Sequence, residues 1–295
     1  PFWIDKYLVS NKEFAKFYKS TYHETEAEKY GWSFVLSSFV SNPEQYDSDP
    51  EAPHWIAVPG AYWRQPEGNT SSYKYREHHP VTHVSHRDAA AYCEWKGKRL
   101  PGEREYEAAA RFVVDPTTHT TTTATKNRTV YAWGDDDSWY IAYQYANLWR
   151  ATAFPNNNGR DGWRGTSPID AFPPNALGVY DMTGNVWEWM RGGKHKARIV
   201  RGASFVDSLD GSFHHAATLG ARSVLHGTTT TSNVGFRCGK APQKRIEHHF
   251  VWHDEEVDGK LSADEQIVDD DEEFVESTIK KKKVVYKRER LSGEL

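Results

Sequence analysis

Three stretches of the chain place apolar side chains at helical spacing. From Asn11 to Tyr18, Phe14, Phe17 and Tyr18 share one face, and Ser10 or Asn11 is placed to cap the first turn. From Ser85 or Asp88 to Gly97, the residues Ala89, Ala90, Tyr92, Cys93 and Trp95 are expected to pack inward. Ser85 caps this second helix and Gly97 stops it. A third helix is predicted over Gly102 to Arg111, with Pro101 at its start and Tyr106, Ala109 and Ala110 facing in. The Thr-rich run Thr117 to Thr125 has no apolar face and reads as an exposed loop. From Tyr131 to Trp189 the pattern breaks into turn signals: Trp133-Gly134-Asp135, Asn156-Asn157-Asn158-Gly159 and Pro173-Pro174-Asn175. So much irregular backbone calls for other fasteners, such as buried Trp, bound ions or a disulfide.

Composition supports a packed core for much of the chain. Among 295 residues there are 12 Trp, 16 Tyr and 13 Phe, enough aromatic surface to exclude disorder throughout. The net charge of −4 supplies no basic field to draw in nucleic acid. No apolar run approaches the roughly 20 residues that span a bilayer. The segment Pro1-Phe2-Trp3-Ile4-Asp5 reads as domain interior, so a leader and part of the first strand are expected upstream.

Charge density jumps near Ala241-Pro242, which divides the chain into a domain of residues 1–240 and a tail of residues 241–295. Within the tail, Asp254 to Glu265 reads as an EF-hand calcium loop. Asp254, Glu256, Asp258, Lys260, Ser262 and Glu265 occupy liganding positions, and Gly259 stands where the loop must turn sharply. Glu256 departs from the usual Asp or Asn at its position, and no second loop is present to pair with it. An acidic solvated run would share much of this composition.

The only cysteines are Cys93 and Cys238, either two buried thiols or one long-range disulfide. Asn69-Thr70-Ser71 and Asn127-Arg128-Thr129 are glycosylation sequons. The chain ends Ser292-Gly293-Glu294-Leu295, which keeps the Glu-Leu end of an endoplasmic-reticulum retrieval signal. Together these point to the lumen of the endoplasmic reticulum. Two clusters of oxygen donors, Asn147 with Asp161 and Asp181 with Glu188, stand in the turn-rich region. Hard cations favour such donors, and turns favour the same residues for their own reasons. His78, His79, His83 and His86 are close enough in sequence to suggest a metal, a weaker signal than the oxygen clusters.

Across the first domain, a series of motifs resembles the formylglycine-generating-enzyme (sulfatase-modifying factor) family. They are Val58-Pro59-Gly60-Ala61-Tyr62-Trp63, His79-Pro80-Val81, and Ala91-Tyr92-Cys93 through Gly97-Lys98-Arg99-Leu100-Pro101. Tyr131-Ala132-Trp133-Gly134-Asp135, Ala146-Asn147-Leu148-Trp149 and Ala171-Phe172-Pro173-Pro174-Asn175 follow. Gly184-Asn185-Val186-Trp187-Glu188-Trp189 and Asn233-Val234-Gly235-Phe236-Arg237-Cys238 complete the series. The resemblance implies an α+β, C-type-lectin-like fold with little regular secondary structure. It implies a disulfide between Cys93 and Cys238. It also implies structural calcium at Asn147, Leu148, Asp161 and Trp163, and at Asp181, Met182, Gly184, Val186 and Glu188. Asp181 stands where the enzyme has Asn, which keeps a ligand.

Family enzymes oxidise a sulfatase cysteine to formylglycine with a copper ion held by two cysteines just after a Gly-Gly-Ser turn. Here the turn is Gly202-Ala203-Ser204, and the two cysteine positions hold Asp207 and Ser212. Neither replaces a thiolate toward a soft Cu(I), so no copper is expected. The stretch Arg201 to Ser212 and the Gly-Glu-Leu ending are similar to the family's non-catalytic branch. That likeness implies a lumenal protein that binds sulfatases, sulfatase-derived peptides or the active enzyme, and modulates formylglycine formation. Ser204, Asp207, Ser212, Arg222 and Asn233 would line the peptide groove, with His214 and His215 beside the replaced centre. The alternative is an enzyme with altered oxidative chemistry on the same fold. Related iron-dependent sulfoxide synthases use a His-rich partner domain that this sequence lacks. Two weaker possibilities are a hydrolytic triad of Ser212, His215 and Asp207 and sugar binding by analogy of fold.

Overall fold

The helices of the first half begin with one device repeated. Ser10, Thr25 and Ser85 each cap a helix, and Glu13, Glu28 and Asp88 three residues on reach back to the capping residue. In the computed structural model, residues 1–114, 121–123, 130–150, 157, 159 and 161–241 are described. The elements run β1 (Trp3–Ile4), α1 (Asn11–Thr21), α2 (Glu26–Tyr30), β2 (Trp32–Leu36), β3 (Trp55–Pro59), α3 (His86–Trp95) and α4 (Glu103–Ala110). They continue through β4 (Phe112–Val114), β5 (Thr121–Thr123), α5 (Trp139–Tyr145), β6 (Trp187–Lys194), β7 (Ala197–Arg201), β8 (Arg222–Leu225), β9 (Val234–Gly235) and β10 (Gly239–Lys240). The architecture is α+β. Pro1–Ala241 form one compact unit. The expected EF-hand residues Asp254, Glu256, Asp258, Lys260, Ser262 and Glu265, and the sequon residue Asn127, lie outside the described residues.

A four-stranded sheet in the order β8-β7-β6-β9 forms the centre. β6 runs parallel to β9, with Glu188 opposite Gly235, and antiparallel to β7. β2 and β3 form an antiparallel pair in which Phe34 faces Ala57 and Leu36 faces Trp55. β1 pairs with β10, so the two ends of the unit are tied together. The main core is aromatic: Phe14 packs against Phe17, Trp63, Tyr92 and Phe236 at ring separations of 5.2–6.4 Å. Cys93 on α3 is disulfide-bonded to Cys238.

A buried ion pair crosses this architecture. Arg237, just after β9, donates from Nε to Glu188 Oε2 at 2.7 Å and from Nη2 to Glu188 Oε1 at 2.8 Å. Its guanidinium also donates to the carbonyls of Asp5, Lys6, Tyr180 and Asp181. Both side chains have no exposed surface.

Three expectations change. Trp95 lies against Phe17 and Tyr92 yet remains 38 % exposed, because it stands on the last turn of α3 at the edge of the cluster. Thr121–Thr123 form β5, paired with β4, where an exposed loop was expected; β-branched Thr suits extended backbone once a partner strand is present. The remainder of that Thr run lies outside the described residues. The turn-rich region contains a helix, α5, capped by Ser138, whose Oγ accepts from Ile141 N.

The disulfide closes a loop of 145 residues, for which the chain-entropy account gives about 5 kcal/mol. Cys238→Ser is expected to lower the unfolding free energy measured by urea titration by an amount of that order. Arg237→Met leaves Glu188 buried without its partner and is expected to cost about 3–5 kcal/mol in the same measurement. Adding Glu188→Gln to that variant is expected to recover part of the loss.

Candidate functional site

The segment after β7 turns sharply through Gly202 and Ala203, both in the left-handed region at φ 99° and 61°. At Gly202 a side chain would strike the Tyr106 hydroxyl, so only glycine fits there. The turn delivers Ser204 and Asp207 to the interior, where they bond to each other. Asp207 Oδ2 accepts from Ser204 N at 2.8 Å and from Ser204 Oγ at 2.7 Å, and its Oδ1 accepts from His215 N at 3.1 Å. Ser204 Oγ also accepts from Asn233 Nδ2 at 3.2 Å, and Asn233 Oδ1 accepts from Thr231 Oγ1 at 3.0 Å. Burial pushes the Asp207 carboxyl above its ordinary pKa, against the stabilising bonds from Ser204 and His215.

A cavity of about 290 Å³ opens above this network. Asp207, Asn233, His214 and His215 line it, together with Phe34 of β2, Trp55 of β3, Trp187 of β6 and Leu225 of β8. Asp207 and Asn233 therefore meet in one site, and Ser204 supports them from behind. The other two groove residues take different places. Ser212 sits on an exposed turn, its Oγ donating to Asp210 Oδ1 at 2.6 Å, because Asp210 offers a nearer acceptor than the cavity does. Arg222 forms an ion pair with Glu103 at 2.7 Å on the same carboxylate oxygen that Arg201 engages. Neither lines the cavity. The triad geometry is absent as well: Asp207 bonds the backbone of His215, and Ser212 bonds Asp210.

The first oxygen-donor cluster fits a hard cation. Asn147 is fully buried and donates to Gly165 O at 2.8 Å, and its Oδ1 has no hydrogen-bond partner among the described residues. Asp161 accepts from the backbone N–H groups of Leu148 and Trp163, and burial pushes its carboxyl up to about 6. An unpartnered amide oxygen at Asn147 and a desolvated carboxylate bonded to the N–H of the next residue suit an oxygen-liganded ion, to which the carbonyls of Leu148 and Trp163 could add. Gly184 permits the close backbone approach here: a Cβ would lie 2.5 Å from Asn147 O.

The second cluster fits less well. Both Glu188 oxygens are held by Arg237, and Met182 O accepts from the Tyr106 hydroxyl at 2.8 Å. Asp181 keeps a buried carboxylate bonded to Asn185 Nδ2 at 3.2 Å and pushed up to about 7 by burial. Gly184 N donates to Gly202 O, and Val186 is buried in the same turn. The histidines serve packing: His79, His83 and His86 bond Thr166, Ser33 and Met190 O in turn. No cluster of three or more metal-ligating His, Cys, Asp or Glu side chains occurs among the described residues.

Sequence reasoning missed Phe34, Trp55 and Asp49 as cavity residues, because nothing in β2, β3 or the segment between them marks these positions. It also missed Asn185, whose side chain joins Asn147, Ser167 and Asp181. The pair Gly184-Asn185 gave a turn signal that pointed there.

The profile of the Sulfatase-modifying factor enzyme 1-like domain matches residues 1–242. The chain is 39% identical over 265 residues to the formylglycine-generating enzyme of Thermomonospora curvata, covering 82% of each. It is 40% identical over 249 residues to the inactive Cα-formylglycine-generating enzyme 2 of Mus musculus, covering 82% of this chain and 75% of that protein. Among solved structures, PvdO from Pseudomonas aeruginosa aligns over 81% of this chain and 80% of its own, with 21% identity and a TM-score of 0.48. The chain therefore belongs to the sulfatase-modifying factor family, whose members include both formylglycine-generating enzymes and an inactive relative of them.

Proposed function

We propose that this protein is a non-catalytic member of the family that binds sulfatases or the active formylglycine-generating enzyme and so modulates formylglycine formation. One observation carries the reading: Asp207, which the resemblance sets at the first redox cysteine position, is a buried carboxylate that serves the loop around it. Asp207 is engaged by Ser204 and His215, and Ser212 is turned outward to Asp210. The only two cysteines are joined to each other, so neither offers a thiol. What the residues can still do is bind. The aromatic walls exclude water from an extended peptide, and Asn233 and Asp207 offer it hydrogen bonds.

The same reading places the protein in the lumen of the endoplasmic reticulum. The disulfide and the exposed sequon at Asn69 support it. It also includes structural calcium held by Asn147, Asp161 and the carbonyls of Leu148 and Trp163. Such an ion would offset the cost of ordering a loop with little regular structure.

Two measurements check this. Immobilised peptide spanning a sulfatase's target cysteine is expected to retain the protein above a scrambled control. Incubation of that peptide with the protein, copper and oxygen is expected to yield no formylglycine; formylglycine production would overturn the proposal. For calcium, chelation is expected to lower the thermal midpoint by several degrees, since ligand at 100 times its Kd stabilises by about 2.7 kcal/mol. Asp161→Ala in the full chain is expected to remove most of that calcium-dependent shift. An undiminished shift would move the ion elsewhere.

A further inference from the structure

The cavity at Asp207 has an uneven charge inventory. Among the described residues, its ionisable lining comprises the carboxylates of Asp49 and Asp207 and the imidazoles of His214 and His215, with no Lys or Arg. Its walls include Phe34, Trp55 and Trp187. Asp207 is only 1 % exposed and forms no ion pair with a described Lys or Arg. Its two oxygens are used unequally. Oδ2 takes both Ser204 donors, whereas Oδ1 takes only the backbone N–H of His215 and retains capacity for another donor. Keeping a desolvated carboxylate ionised is costly; burial works against the charged form, and among its neighbours only the His215 imidazole adds a favourable charge interaction. Aromatic faces attract cations, most strongly where water is excluded. At about 290 Å³ the space suits one long side chain and not a folded segment.

We propose that this cavity receives a basic side chain of a bound peptide, its aliphatic stem against Trp55, Trp187 and Leu225 and its cationic head at Asp207. The proposal rests on the reading of this site as a peptide-binding groove and goes beyond it. Where family enzymes present redox cysteines to a thiol, this chain presents a carboxylate in an aromatic box, which changes the side chain preferred at that subsite. Asp49 at the same cavity adds a second negative charge, and a basic head group would complement both.

The test uses the full chain and one synthetic peptide spanning a sulfatase's target cysteine. The peptide is made with Cys, Lys or acetyl-lysine at that position, and affinities are read by calorimetry. The Lys form is expected to bind about tenfold tighter than both the Cys form and acetyl-lysine, which keeps the length and removes the charge. Equal affinities for the three would overturn the proposal and leave the binding-module reading standing. Binding by none of them would remove that reading, and the proposal with it. Asp207→Asn is expected to abolish the preference for Lys. Because that change also touches the bonds to Ser204 and His215, Asp49→Asn serves as a second variant and is expected to weaken the preference several-fold. A preference for Lys unchanged in both variants would equally overturn the assignment.

Discussion

The Glu188–Arg237 pair is the constraint on which the rest of the domain depends. Its charges are bonded bidentately with no exposed surface, and four further carbonyls complete the guanidinium's shell. A buried pair of this kind adds little net stability compared with an apolar replacement, but it is severe about geometry. The β6–β9 register must set Glu188 opposite Gly235, and the N-terminal segment must bring Asp5 and Lys6 alongside. The turn at Tyr180 and Asp181 must close on the same cation. Cys238 follows Arg237 directly and ties that point to α3, so one short segment positions both ends of the unit.

The loop bearing Asp207 hangs from that frame through backbone bonds: Phe205 N to Asn185 O, Trp149 N to Asp207 O, and Gly184 N to Gly202 O. Side-chain bonds at Asp207 complete that support. Asp207 acts there as a local cap, drawing two donors from Ser204 and one from His215. A carboxylate at this position therefore holds the loop beside the cavity in place.

Much of this was legible in the sequence where the signal is local. The capping boxes at Ser10 and Ser85, the apolar face of α4 and the Gly202-Ala203-Ser204 turn are all short-range patterns. The helix α5 escaped notice because its sequence, Trp-Tyr-Ile-Ala-Tyr-Gln-Tyr, is apolar or aromatic almost all round and shows no period. The cavity was half legible. Asp207 and Asn233 stand in recognisable motifs, but Phe34, Trp55 and Asp49 reach the site through the β2–β3 pair and its flanking turn, which only tertiary structure reveals. Ser212 and Arg222 diverged for a related reason: Asp210 and Glu103 compete for them, and motif register does not report competitors.

The two oxygen-rich clusters sharpen that point. In sequence they look alike, each a carboxylate and an amide or second carboxylate among turn residues. In the structure their charge balance is opposite. Glu188 already has a cation in Arg237, so adding an ion there means sharing or displacing a guanidinium buried in the core. Among the described residues Asp161 accepts only from backbone N–H groups, and the Asn147 oxygen has no donor at all. An orphaned acceptor in a buried site costs free energy that a cation would recover. Donor counting therefore treats the clusters as equivalent, whereas accounting for each donor's existing partners separates them and favours the Asn147–Asp161 loop as the place where an ion has most to stabilise.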